Sequence, residues 1–62
     1  MKSRFMPARA LMSSDVIKHA ETDVIAYTVE DVVMLHDNKV AIWCRAENDP
    51  LICESDDEWF VL

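Results

Sequence analysis

Cys44, Cys53, His19, His36 and the run Asp56-Asp57-Glu58 are the residues whose types and spacing could do chemistry. Two thiols and two imidazoles are zinc-donor types, but a C-x8-C spacing with distant histidines does not match the paired, short spacings of zinc sites. The thiols read instead as small buried hydrophobes, set directly opposite each other across two strands. His36 adjoins Asp37, a pair able to exchange a proton near neutral pH. General acid–base work also needs a pocket, and a chain of 62 residues has little room for one. Both histidines are therefore expected at the surface. The acidic run lacks the glycine and the ligand spacing of a calcium loop and reads as a solvated turn. No catalytic, cofactor or metal site is expected, and the chain is not read as an enzyme.

Recognition is left. Residues 46–62 hold six acids, Glu47, Asp49, Glu54, Asp56, Asp57 and Glu58, and no Lys or Arg. The same segment carries Leu51, Ile52, Trp59, Phe60, Val61 and Leu62. The charge keeps it soluble while the apolar groups require cover. Glu47, Asp49, Glu54, Asp56, Asp57, Glu58, Trp59 and Phe60 are the expected partner-binding residues. The carboxylates would face a basic surface, and the aromatics would either anchor the complex or close the sheet as a last edge strand.

Composition narrows the classes of partner. Net charge is −6, which disfavours direct contact with nucleic acid or an anionic membrane. Glycine is absent, which removes every glycine-rich phosphate loop and leaves the turns to Asn, Asp and Pro. No apolar run approaches the roughly 20 residues that span a bilayer, and the longest uninterrupted run in the basic start, Ala10-Leu11-Met12, is too short for a signal-peptide core. A cytoplasmic protein with reduced thiols is expected. Charge is also ordered along the chain, with Lys2, Arg4 and Arg9 at the start and the acids at the end. The basic arm could therefore pair with the acidic tail, in one chain or between two.

The elements that must position these residues read as α+β: a short N-terminal helix packed on a small antiparallel meander of three to four strands. The whole chain forms one domain, with residues 1–7 extended or flexible. Ser13 or Ser14 as N-cap and the stripe Val16, Ile17, Ala20 predict a helix over about 8–21. The β-branched runs that follow predict strands over 24–29 and 32–36, then around Val40–Cys44 and Leu51–Cys53. The turns fall at Glu30-Asp31, at Asp37-Asn38 and at residues 47–50. A two-residue loop at Asp37-Asn38 sets Leu35 opposite Val40, Val33 opposite Ile42 and Val32 opposite Trp43. The next turn sets Ala46 opposite Leu51 and Cys44 opposite Cys53. Period-two sorting then places Val24, Ala26, Thr28, Val33, Leu35, Val40, Ile42, Cys44, Leu51 and Cys53 under the helix. The other face collects Ile25, Tyr27, Val29, Val32, Met34, Trp43 and Ile52, which is too apolar for free solvent. Self-association through Tyr27, Met34 and Trp43 is the expectation, giving a homodimer.

These readings converge on a small acidic protein-binding module that inhibits or modulates a larger protein with a basic surface. An origin in a phage or mobile element would suit its size. One alternative is a nucleic-acid mimic that blocks a DNA- or RNA-binding enzyme through its carboxylates. Another is a structural or regulatory homodimer without an external target.

Overall fold

The computed structural model describes residues 4–62. It is built from six short strands: β1 (Phe5–Pro7), β2 (Val16–Lys18), β3 (Tyr27–Met34), β4 (Lys39–Cys44), β5 (Leu51–Glu54) and β6 (Glu58–Val61). They form one antiparallel sheet in the order β1-β6-β2-β3-β4-β5. The expected N-terminal helix does not form, so the fold is nearly all sheet and not α+β. Within 8–21 the only helical piece is one 3-10 turn, Ala8–Ala10.

Tertiary pairing explains the loss of the helix. β6 carries three consecutive buried residues, Trp59, Phe60 and Val61, and it takes a ladder on both sides, from β1 and from β2. Val16 and Ile17 are β-branched and lose little by adopting the extended form. Ser14 stands in the left-handed region at φ 81° and turns the chain into β2 where the cap was expected. Phe5–Pro7, expected as extended or flexible chain, is ladder-paired as β1; Lys2 lies outside the described residues.

The meander also departs from the expected register. Asp37 and Asn38 do supply the tight loop, both with left-handed backbone at φ 61° and 64°. The Lys39 N–H donates to the His36 carbonyl, but Lys39 O accepts from Leu35 N–H at 2.8 Å, not from His36. That extra residue slips the ladder by one, so Met34 faces Val40, Val33 faces Ala41 and Val32 faces Ile42. A slip of one exchanges the two faces of a strand. Val33 and Leu35 therefore sit at the surface, while Val32 turns inward.

No turn forms at Glu30-Asp31. β3 runs through it with a bulge, pairing Val29 with Cys44 and Asp31 with Trp43. An unbulged ladder would set Glu30 opposite Cys44, in the interior. The bulge leaves Glu30 outside and keeps both Val29 and Val32 on the core side. It also divides β3: Tyr27 and Thr28 pair with β2, and the rest pairs with β4. Ala8, Leu11, Ile17, Val29, Val40, Ile42, Cys44, Trp59 and Val61 then join in one core cluster.

With no glycine, three turns share one device. Met12 N–H donates to the Asp15 carboxylate at 2.9 Å, Ala20 N–H to Asp23 at 3.2 Å and Glu54 N–H to Asp57 at 3.1 Å. In each, the aspartate N–H returns a bond to the carbonyl of the same first residue. The carboxylate thus satisfies a backbone donor that a sharp turn would strand.

Candidate interaction surface

On the β3–β4–β5 half, the ladder fixes which side chains point away from the core. Val33, Ala41 and Ile52 form a row across three strands. Trp43 and Asp31 flank the row on one side, and the exposed Lys39–Glu54 ion pair flanks it on the other. Val33 and Trp43 are each 39% exposed and Ile52 is 54% exposed. Ala41 is covered by these larger neighbours. This is an apolar stripe with carboxylates at both ends.

The acids of the C-terminal third separate into two groups. Glu47 and Asp49 lie in the β4–β5 loop, on the side of Glu30, which pairs with Arg45 at 3.9 Å. Glu54, Asp56, Asp57 and Glu58 surround the β5–β6 turn, which is tied to the first hairpin by Ser55 N–H to Asn38 O and by the Ser55–Asn38 side-chain bond at 3.0 Å. Asp37 adjoins this second group. Among the described residues the basic arm reaches the tail through backbone pairing: Arg4 O accepts from Val61 N–H, and the Arg4 guanidinium donates to Leu62 O at 3.1 Å.

Trp59 and Phe60 are interior. Trp59 is 4% exposed and lies in the core. Phe60 is packed on the opposite side of β6 under Phe5, ring centroids 5.4 Å apart, and beneath Lys18, whose Nζ is 5.7 Å from the ring centre. β6 is also not an edge strand. The grouping of Tyr27, Met34 and Trp43 on one face is corrected by the register. Tyr27 and Met34 pair with Ile17 and Val40 and point to the core side, whereas Trp43 pairs with Asp31 and points outward.

The cysteines do not oppose each other. Cys53 faces Val40 and Cys44 faces Val29, because the β4–β5 ladder is displaced by four residues from the expected register. An even displacement keeps both thiols on the core side. It also separates them by four residues of strand, about 13 Å at the usual rise per residue, beyond disulfide reach. Both are free. Burial pushes both thiol pKa values up, Cys44 further raised by Glu47 and Glu30 and Cys53 by Asp57 and Glu54. The Trp59 indole N–H acts against that rise at Cys53, yet it makes no hydrogen bond of normal geometry and is buried without an acceptor. No group of three or more metal-ligating side chains converges among the described residues.

His36 is exposed beside the hairpin turn. His19 has a more specific environment. Its ring stacks on Trp59 with centroids 4.4 Å apart and meets Tyr27 edge-on at 6.2 Å. His19, Asp23, Val24, Ile25 and Tyr27 line a cleft of about 180 Å³. Val24, 96% exposed, and Ile25 stand on the loop before β3. Sequence reasoning assigned that loop to a strand. The signal for it was the spacing Ala20–Asp23, the same three-residue step that closes the Met12–Asp15 and Glu54–Asp57 turns.

No family model, curated protein or solved structure matches this chain. No helix among the described residues is long and apolar enough to cross a membrane.

Proposed function

We propose that the chain is a small binding module that inhibits or modulates a larger protein, docking through the outer face of β3–β4–β5. The observation that carries this reading is the Val33–Ala41–Ile52 row beside Trp43, with acids at both ends. An apolar centre with a charged rim is the anatomy of a protein interface. The carboxylates suit a partner whose surface is basic, where they speed and orient encounter while Trp43 and Ile52 supply the buried contact. Trp59 supports the face from within the core, Phe60 packs under Phe5 and Lys18 on the other side of β6, and neither is assigned contacts. We place the module in the cytoplasm, where its thiols stay reduced.

Affinity capture from the source cells, comparing the unchanged chain with Ile52→Glu and with Asp31→Asn plus Glu54→Gln, tests this reading. Ile52→Glu should abolish capture of the partner, and the charge pair should slow association with little effect on dissociation. Capture unaffected by Ile52→Glu, but steeply lost with salt, would instead favour recognition by carboxylates alone, as in a nucleic-acid mimic.

A further inference from the structure

We infer that the cleft lined by His19, Asp23 and Tyr27 receives a lysine or arginine side chain. Its volume, about 180 Å³, lies below the roughly 300–1,000 Å³ of sites that enclose cofactors and drug-sized ligands. A single long side chain is the matching size. The walls divide by chemistry. Val24 and Ile25 offer aliphatic surface, as the stem of a lysine or arginine requires. The Tyr27 ring offers an aromatic surface, which attracts a cation, and the His19 ring, backed by Trp59, forms the wall beside it.

Asp23 completes the site. Its Oδ2 accepts the Ala20 N–H at 3.2 Å, and its Oδ1 has no hydrogen-bond or ion-pair partner among the described residues. The neighbouring cation, Lys18, is committed elsewhere: its Nζ donates to Glu21 O at 2.8 Å and lies over the Phe60 ring. An aliphatic wall, two rings and a half-used carboxylate describe a receptor for an alkyl cation. The net charge of −6 favours the same sign of ligand at longer range. The inference rests on the protein-binding reading only for the source of the side chain, a basic residue of the partner. The cleft lies in the β2–β3 half, apart from the Val33–Trp43 stripe.

The test uses the full chain, titrated with N-acetyl-lysine methylamide, its arginine counterpart and the uncharged N-acetyl-norleucine methylamide, followed by NMR of the His19 and Tyr27 rings and the Val24 and Ile25 methyls. The two cationic amides should shift these signals saturably and the norleucine amide should not. Asp23→Asn keeps an oxygen for the Ala20 N–H and removes the charge, so it should weaken the cations about two- to fivefold with the fold intact. Ile52→Glu, which alters only the outer face, should leave binding unchanged. Equal binding of norleucine, or Asp23→Asn equal to the unchanged chain, overturns the inference. Partner capture that depends on Ile52 would then still stand, so the two readings fail separately.

Discussion

Asp57 and Glu54 are joined by two reciprocal bonds: Glu54 N–H donates to the Asp57 carboxylate at 3.1 Å, and Asp57 N–H donates to Glu54 O at 3.1 Å. This pair does more than close a turn. β5 is an edge strand, and Ser55 N–H bonds Asn38 O, so ladder alternation turns the amide groups of Glu54 and Ile52 outward. Asp57 occupies those of Glu54, and Pro50 has no N–H to offer. Ile52 is left as the one residue of β5 with an open N–H and C=O, which guards this edge against pairing with other chains.

Asp57→Ala should lower stability by about 1 kcal/mol, the net worth of such a bond, and should raise the tendency to aggregate. Asp57→Asn retains an acceptor oxygen and should lose less than half of that. Asp56→Ala, next to it and without a bond, should stay within about 0.5 kcal/mol of the unchanged chain. Urea unfolding of the three variants, with light scattering at the midpoint, checks the order.

Register predicts opposite outcomes for two valines. Val29 is fully buried opposite Cys44, and Val33 lies on the outer face. Val29→Ala should cost about 2 kcal/mol or more through the cavity it leaves, whereas Val33→Ala should cost about 0.5 kcal/mol or less. Equal losses in chemical denaturation would refute the slipped ladder.

The thiols make a pH prediction. Burial raises both cysteine pKa values above the unfolded value, so the folded state holds thiol protons that the unfolded state releases. Stability is therefore full below the unfolded thiol pKa, about 8.5, and falls as pH climbs from there through the folded values. Lys39, raised mainly by its hydrogen bond to Glu54, acts in the same direction at still higher pH. The Cys44→Ala, Cys53→Ala double variant should flatten the first part of that decline. In the native protein, alkylation should label Cys53 slowly and Cys44 more slowly still, and both freely in denaturant.

Self-association through the outer face would bring like charges together. We expect the 7.2 kDa monomer in sedimentation equilibrium at low salt. A dimer is expected only where salt screens the carboxylates. Protection of Trp43 from iodide in that species would place the contact on the outer face, and its loss in Ile52→Glu would confirm it.

Much of the meander was legible from local chemistry. Asp37-Asn38 announces its left-handed loop, and the core side of β4 and β5 follows from period two even though their ladder is displaced by four residues. What could not be read are two single-residue irregularities, at Leu35-His36 and at Glu30. The first exchanges the faces of β3 relative to β4, and the second keeps Val29 and Val32 on the same side. Both arise from what the distant ladder accommodates, such as the exclusion of Glu30 from the space beside Cys44. The segment 8–21 failed for a related reason, since its cap signals are sound locally and are overruled by the demand of β6 for a second partner. With that helix gone, the surface once assigned to Tyr27, Met34 and Trp43 resolves into an outer stripe and a separate cleft. Neither could be drawn before the faces were known.

The place of β6 bears on how the protein is made. It is the last of the six strands in chain order, yet it lies between β1 and β2 and contributes Trp59 and Val61 to the core. During synthesis β1 and β2 leave the ribosome first, with no edge to lie against. The β3–β4–β5 meander can close early, since its contacts are local, but half of the sheet must wait for residues 58–61. That half cannot close until residues 58–61 have emerged, and a nascent chain stalled before Glu58 would expose Ile17 and Val29 to chaperones and proteases.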